Sequence, residues 1–214
     1  ANEINAQGHK ALAYRLDVCN DADIEQVIKD LQTQSLDVVI LVNNAGLQHV
    51  SKLEDFPPER WRLINNVLLV APAMLTRAVL PGMRQQNFGR IVNIGSIHSL
   101  VASAHKSAYV AAKHGLLGFS KVIALETANQ NITINTVCPS YVKTPLVEMQ
   151  IANQAKENGI TEEEVINKIM LEPMPKKNFI EMDELTGAVN YLLSEAARNM
   201  TGHELVLDGG WTVR

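Results

Sequence analysis

Tyr109 and Lys113 stand four residues apart in the segment Tyr109-Val-Ala-Ala-Lys113, a spacing that places both side chains on one face of a helix. A phenol with a reference pKa near ~10 is a poor base at neutral pH unless a nearby positive charge stabilises its anion. The ammonium of Lys113 supplies such a charge. The pair is therefore a candidate for general acid/base chemistry, although ordinary surface pairs on helices share the same spacing.

Ser96 is the second candidate for chemistry, because it follows the segment Arg90–Ile94, which predicts a strand. Ligands of open α/β sheets bind beyond the carboxyl ends of the strands. We therefore expect the Ser96 hydroxyl to face the helix that carries Tyr109, where it could hold a carbonyl oxygen while the phenol exchanges its proton. The alternative is that Ser96 is only a turn or helix-capping residue.

The elements that must position these side chains alternate along the chain between strand-like and helix-like segments. The predicted strands are Lys10–Val18, Val38–Val42, Arg90–Ile94, Ile132–Val137 and Glu204–Leu207, and the predicted helices are Asp21–Gln34, Pro58–Gln86, Ala108–Ala128, Ile160–Leu171 and Asp183–Ser194. Asp21 is the expected N-cap of its helix, and Pro72 should kink the long one. This alternation predicts one α/β domain over residues 1–214, with a doubly wound, Rossmann-like, mostly parallel sheet.

The first residues, Ala1–Gly8, look like the tail of a helix, so the chain opens in the middle of a βαβ rhythm. No glycine-rich turn links a first strand to a first helix, and such a turn is what cradles a pyrophosphate in dinucleotide-binding folds. The sequence thus predicts that the N-terminal first βαβ portion of the fold is missing from this chain.

Composition excludes several classes of partner. A formal net charge of -4 offers no basic footprint for nucleic acid. The longest apolar stretch, around Asn66–Leu75, is too short to cross a bilayer and contains a proline, so no membrane association is expected. Cys19 and Cys138 lie far apart and in no metal-binding spacing. Two reduced thiols and no recognisable signal peptide favour the cytoplasm and no metal site.

Five motifs spread over nearly the whole chain resemble those of the short-chain dehydrogenase/reductase family. They are Asp17-Val18, Asn43-Asn44-Ala45-Gly46, Ser96 with Tyr109 and Lys113, Cys138-Pro139-Ser140-Tyr141-Val142-Lys143-Thr144-Pro145, and Asp208-Gly209-Gly210. Ser140 stands where glycine is usual in that family. Together these motifs are far more specific than any one of them alone.

The resemblance implies an NAD-dependent oxidoreductase and a role for each matching residue. Tyr109 would be the general acid/base, Ser96 would orient the substrate oxygen, and Lys113 would lower the tyrosine pKa and bind the nicotinamide ribose. The remaining positions imply cofactor contacts, with Asp17 and Val18 at the adenine, Asn43, Ala45 and Gly46 at the ribose, and Val142 and Thr144 at the carboxamide. Asp17 could instead only start a helix, and Thr144 could only cap one before Pro145.

Two departures from the family pattern affect this interpretation. The glycine-rich phosphate loop is absent from the chain, and the position of the family's active-site asparagine, counted from Trp61 and Pro81, falls on Leu68. Asn65 and Asn66 lie close by without matching that position. A proton relay through the asparagine is therefore in doubt, and a catalytically silent binding or scaffold protein stays open as an alternative.

The likeness extends to bacterial family members that oxidise a small 3-hydroxy acid, and this implies a carboxylate-binding set. That set consists of Gln48, His98, Lys106 and Gln150, with Trp211 as a further substrate contact. A small hydroxy acid needs a cation and neutral donors at one end. Residues 143–175 would form a lid over the substrate. The alternatives are solvated loop residues and a family reductase for another substrate, and the resemblance implies a homotetramer paired through the two long helices.

Overall fold

Four parallel strands form a single sheet in the computed structural model, which describes residues 1–213 apart from the side chains of residues 145, 146 and 157. The strands are β1 (Ile40–Asn43), β2 (Gly89–Ile94), β3 (Ile132–Pro139) and β4 (Glu204–Leu207), and they lie side by side in the order of the chain. β3 is buried along its whole length, and its buried residues include Thr133, Asn135 and Thr136 as well as apolar ones. The predicted doubly wound α/β fold is confirmed.

Seven helices connect and cover these strands in the described part of the chain. They are α1 (Asn2–Ala6), α2 (Asp21–Thr33), α3 (Pro58–Gln86), α4 (Ser107–Glu126), α5 (Pro145–Asn158), α6 (Glu162–Val165) and α7 (Met182–Leu193). A π-helical turn, Ile166–Met170, continues α6. The helices predicted from the sequence match α2, α3, α4, α6 with its π-helical turn, and α7 to within a few residues.

The segment Lys10–Val18 was predicted to be a strand, and this prediction is wrong for the described structure. No strand runs through it, and its alternate apolar side chains Leu12 and Tyr14 are 48% and 37% exposed. A β pattern is stable only when a neighbouring strand completes its hydrogen bonds, and no described strand lies beside this one. The segment also does not pair with β1, in agreement with the predicted topology.

The N-terminus of α2 corrects a second prediction. Its N-cap is Asn20 rather than Asp21, because the Asn20 side chain accepts hydrogen bonds from the backbone N–H groups of Ala22 and Asp23 at 3.0 and 3.4 Å. Asp21 is instead the first residue of the helix, where its negative charge interacts favourably with the positive end of the helix dipole.

α3 is one continuous helix with a π-helical turn at Asn66–Val70. This turn lies immediately before Pro72, which lacks an N–H group and whose ring crowds the carbonyl four residues earlier. Among the described helices, α3 alone is long and apolar enough to cross a membrane. Its buried face, however, packs into two core clusters through Ile64, Val67 and Met83, and core helices reach the same hydropathy in this way.

Candidate active site

A cavity of about 280 Å³ lies beyond the carboxyl ends of β1, β2 and β3. The residues that follow each strand contribute to its wall, as expected for an open parallel sheet. It brings together twelve of the predicted site residues, namely Ala45, Gly46, Gln48, Ser96, His98, Lys106, Tyr109, Lys113, Val142, Thr144, Gln150 and Trp211.

Ser96 stands at the end of β2 and caps the short 3-10 turn Ile97–Ser99. Its hydroxyl oxygen accepts a hydrogen bond from the backbone N–H of His98 at 3.1 Å, so its own O–H remains available as a donor. The turn packs closely against β3, since a Cβ on Gly95 would lie 3.1 Å from the Cys138 sulfur. Ser96 therefore caps a short helical turn, as the alternative interpretation of the sequence expected. It also presents a fixed hydroxyl donor at the cavity.

Tyr109 projects from the first turn of α4 and packs against a core cluster around Ile64 and Ala112. Burial raises the pKa of its phenol, and the facing hydroxyl of Ser96 offsets part of that rise. The neutral phenol is thus the resting form in the protein without bound cofactor. Such a group is ready to donate a proton, and must first lose it to act as a base.

Lys113 is 5% exposed and donates a hydrogen bond from Nζ to the carbonyl oxygen of Ile94 at 2.5 Å. Burial lowers the pKa of its ammonium to about 8, and Nζ lies 5.6 Å from the ring centroid of Tyr109. The sequence predicted that Lys113 would lower the tyrosine pKa. In this structure burial raises the pKa of Tyr109, and the Ser96 hydroxyl is the group that lowers it, so an effect of Lys113 on this pKa stays a prediction.

Lys106 and His98 form a pair that borders the same cavity, with 3.2 Å between Nζ of the lysine and Nε2 of the histidine. Burial, followed by the charge of Lys106, lowers the pKa of His98 to about 4. His98 is thus neutral at neutral pH, and its Nε2 accepts a hydrogen bond from the Lys106 ammonium. Lys106 forms no ion pair with any side chain that the structure describes, so an uncompensated cation borders the cavity.

Trp211 reaches the cavity from a turn that follows β4. The Asp208 carboxylate accepts hydrogen bonds from the backbone N–H groups of Gly210 and Thr212 at 2.8 and 2.7 Å, and Gly209 and Gly210 both have positive φ, 58° and 90°. This turn places the indole with its centroid 6.0 Å from the ring of His98, at an interplanar angle of 82°.

Three predicted cofactor residues do not line the cavity. Asp17 is exposed and accepts a hydrogen bond from the backbone N–H of Cys19 at 2.9 Å, while Val18 packs beside a core cluster. Asn43 is buried in the sheet, where its amide donates to Asn93 Oδ1 at 2.7 Å. Their cofactor contacts stay predictions, and Asn43 has a clear structural role in joining β1 to β2.

Thr144 serves the capping role that the sequence left open. Its hydroxyl oxygen accepts a hydrogen bond from the backbone N–H of Val147 at 3.3 Å and so begins α5. Leu68, at the position of the family's asparagine, is 1% exposed and also borders the cavity. Asn65 does not replace it, because its amide donates to the carbonyl of Trp61 at 2.9 Å.

Sequence reasoning missed Tyr141 and Ser140 as site residues, although both belong to the quoted segment after β3. The Tyr141 ring lies 5.8 Å from Nζ of Lys106 and 6.2 Å from the indole of Trp211. The Ser140 hydroxyl borders the cavity and is buried with no hydrogen-bond partner among the described residues. The sequence signal that could have identified Ser140 as a site residue is the serine itself, at a position where the family usually has glycine.

Comparison with known proteins identifies the family. A family model described as enoyl-(acyl carrier protein) reductase, of the short-chain dehydrogenase type, matches residues 1–212. D-beta-hydroxybutyrate dehydrogenase of Cupriavidus necator is 46% identical over 97% of this chain and 81% of its own length. The enzyme of the same name from Rhizobium meliloti is 50% identical over 82% of this chain and 68% of its own length. The chain belongs to the short-chain dehydrogenase/reductase family of oxidoreductases.

A solved structure supports the same conclusion. A 4-hydroxyisoleucine dehydrogenase complexed with NADH superposes with a TM-score of 0.84 at 30% identity, covering 94% of this chain and 79% of its own. Family membership and this neighbour indicate a nicotinamide cofactor. The dehydrogenase relatives imply a small-molecule substrate.

Proposed function

We propose that this protein is an NAD-dependent dehydrogenase that oxidises D-3-hydroxybutyrate reversibly to acetoacetate. The observation that supports this most strongly is Lys106, a largely buried ammonium that borders the cavity without a carboxylate partner. A buried charge without a partner is costly, so the substrate's carboxylate is a natural counter-ion. An uncharged substrate would leave that cost uncompensated.

The described side chains that border the cavity divide into those that act on the reacting oxygen and those that bind the carboxylate. Ser96 donates its O–H to the reacting oxygen, and Tyr109 removes the hydroxyl proton once its phenol is ionised. Lys106 binds the carboxylate, with Gln48 and Gln150 as neutral donors. His98 contributes by holding Lys106 rather than as a second cation, because it is neutral at neutral pH.

The residues present fit a nicotinamide group. The buried hydroxyl of Ser140 has no hydrogen-bond partner among the described residues, and Lys113, Val142 and Thr144 also border the cavity. A bound nicotinamide supplies the hydride acceptor. Lys113 would bind its ribose, while Val142 and Thr144 would bind its carboxamide. The choice of NAD rests on the resemblance to D-3-hydroxybutyrate dehydrogenases.

Residues 143–175 are proposed to close over the bound substrate. α5 carries Gln150 to the cavity, and α5 and α6 pack against each other around Ile151 and Val165. Movement of these two helices together would bring Gln150 onto the carboxylate and exclude water.

We also propose that the protein is a cytoplasmic homotetramer that pairs through α3 and α4. The outer faces of these helices expose apolar side chains, with Val70 45%, Val122 52% and Leu125 79% exposed. An apolar pocket between the same two helices is lined by Leu80, Phe119 and neighbouring residues. Exposed apolar surface of this kind is typical of subunit contacts.

The test is an activity assay in which the carboxylate alone is varied. The purified chain is given D-3-hydroxybutyrate, its L enantiomer and its methyl ester, each with NAD⁺ or NADP⁺, and reduced cofactor is followed by absorbance. We expect turnover of the D acid with NAD⁺, and a kcat/KM for the ester about ten- to a hundredfold lower. Equal rates for acid and ester would remove the hydroxybutyrate assignment. NADH binding without any turnover would instead favour the catalytically silent alternative.

A further inference from the structure

Ser140 carries a hydroxyl that has no partner among the residues that the structure describes. Its Oγ atom is buried and unpaired among the described residues, and Ser140 borders the cavity. Its backbone is held in place, since its N–H donates to the carbonyl of Leu207 at 2.8 Å. Buried hydroxyl groups are almost always hydrogen-bonded, so a well-positioned exception indicates a group that binds there.

The alternation of side chains along β3 shows which way this hydroxyl faces. Side-chain atoms of Thr136 and Cys138 would lie only 2.6 and 3.1 Å from a Cβ built on Gly95, so both side chains point towards Gly95. Residues two apart in extended chain share a face of the sheet, so Ser140 continues this face beyond the end of the strand. This is the side of the sheet on which Lys113 and the Ser96 turn lie.

The other hydroxyls in this part of the cavity already have acceptor duties. Ser96 accepts from His98 N–H, and Thr144 accepts from Val147 N–H as the cap of α5. Ser140 alone among these three has its donor and both lone pairs free. A carboxamide, which offers a carbonyl oxygen and an NH₂ group, is a partner that can use both capacities of a hydroxyl.

We propose that the Ser140 hydroxyl forms a hydrogen bond with the carboxamide of the bound nicotinamide and so strengthens cofactor binding in this protein. The proposal rests on the proposed function, because it requires a nicotinamide dinucleotide in the cavity. The hydroxyl is a positioning group for the cofactor and takes no part in proton transfer. The proposal gives a role to Ser140, which stands where the family usually has glycine.

The test measures binding rather than turnover. Dissociation constants for NADH and for ADP-ribose, which lacks the nicotinamide, are determined by fluorescence and calorimetry for the wild type, Ser140→Ala and Ser140→Gly. Ser194→Ala, at the end of α7 and outside the cavity, is the matched control. We expect the two Ser140 variants to bind NADH about three- to tenfold more weakly, with ADP-ribose binding unchanged.

Thermal unfolding provides a second readout that a structural role would not reproduce. Without ligand, Ser140→Ala should have a Tm equal to or above that of the wild type, because an unpaired buried hydroxyl is removed. The rise in Tm on adding NADH should be smaller.

Three outcomes would overturn the proposal while leaving the function intact. They are unchanged NADH affinity in Ser140→Ala, equal weakening of NADH and ADP-ribose, and a large drop in the ligand-free Tm. If the hydroxyl instead contacts substrate or only a bound water, NADH affinity in Ser140→Ala stays unchanged, and the proposal is overturned. A wild-type chain that binds no NADH would refute the proposed function and this proposal with it.

Discussion

Nζ of Lys106 lies 3.2 Å from Nε2 of His98, and the histidine is 5% exposed. The ammonium keeps its proton only if the imidazole is the acceptor, which agrees with a His98 pKa lowered to about 4. Burial also lowers the pKa of Lys106. Of the two residues, only the lysine therefore carries a positive charge, and it borders the cavity.

Replacing Lys106 by methionine should reduce kcat/KM for 3-hydroxybutyrate about ten- to a hundredfold. The methionine keeps an apolar stem but loses the charge-assisted bond to the carboxylate, worth roughly 1.5–3 kcal/mol in a closed site. The methyl ester should be affected far less, and Lys106→Arg should retain most of the preference for the acid. Steady-state kinetics on both substrates measures this. If Lys106→Met slows acid and ester equally, the lysine only supports its loop.

His98 should make the protein less stable below neutral pH. Its folded-state pKa of about 4 lies below the ordinary 6.5, so the unfolded chain binds more protons between these values. Stability is therefore fully present above pH 6.5, falls as pH drops towards 4, and loses no more from this group below that. The loss is at most about 3 kcal/mol.

The measurement is the difference in urea-unfolding free energy between wild type and His98→Gln across this pH range. The glutamine amide can still accept from Lys106 but does not titrate, and the surface carboxylates contribute equally to both proteins. We expect the variant to lose less stability on acidification. Parallel curves would show that His98 is not held neutral by its surroundings.

The core elements were predictable from the sequence because their signals are local. The strand pattern of β3 and the helical pattern of α4 are each carried by residues close together in the sequence. Lys10–Val18 shows the limit of such signals. It has a strand's alternation, but a strand also needs a neighbour at a distance in sequence, and periodicity carries no information about whether one is present.

The sequence could predict which residues border the cavity, but not the protonation states of those residues. The family motifs grouped Ser96, Tyr109, Lys106 and His98, and all four border one cavity in the structure. The neutral state of His98 and the raised pKa of the tyrosine depend on burial in the folded protein, which spacing along the chain does not encode. The unpaired hydroxyl of Ser140 is likewise visible only once its neighbours are known.

Tyr109→Phe should reduce turnover by about 10²–10⁴-fold while leaving NADH affinity within a few fold of the wild type. The ring keeps its packing against the core cluster, and only the proton-transfer group is lost. Stopped-flow or steady-state turnover is compared with a fluorescence titration of NADH. A variant with near-wild-type kcat would exclude Tyr109 from the mechanism.

Lys113→Ala should weaken cofactor binding and also raise the apparent pKa of the base in the pH profile for oxidation. An ammonium near the phenol favours its ionised form, so its removal makes deprotonation harder. Since burial lowers the pKa of Lys113 to about 8, Lys113 loses its charge above that pH in the wild type. Its stabilisation of the ionised phenol should then decline. Lys113→Arg, which keeps its charge throughout, is the control. An unchanged base pKa in Lys113→Ala would rule out the electrostatic role.

Asp208→Asn should raise the KM for the hydroxy acid without a matching loss in kcat. The carboxylate is 8% exposed and accepts from Gly210 N–H and from both the N–H and the hydroxyl of Thr212. Burial opposes its charge, but these hydrogen bonds outweigh burial and keep its pKa below the ordinary value. An amide places an NH₂ group against one of these donors, at a cost of about 1–3 kcal/mol.

The turn would then loosen and Trp211, which it holds beside His98, would lose its fixed place in the cavity wall. Fluorescence of Trp211 in a Trp61→Phe background should report greater mobility of the indole. Thr212→Val, which removes only the hydroxyl bond, should show the same changes to a smaller extent. Because the folded-state pKa of Asp208 is lowered, the stability it contributes is present above the unfolded pKa and is lost as pH falls through the folded value. If Asp208→Asn keeps its KM, its stability and its indole fluorescence, the two glycines with positive φ are sufficient to hold the turn, and Asp208 has no part in placing Trp211.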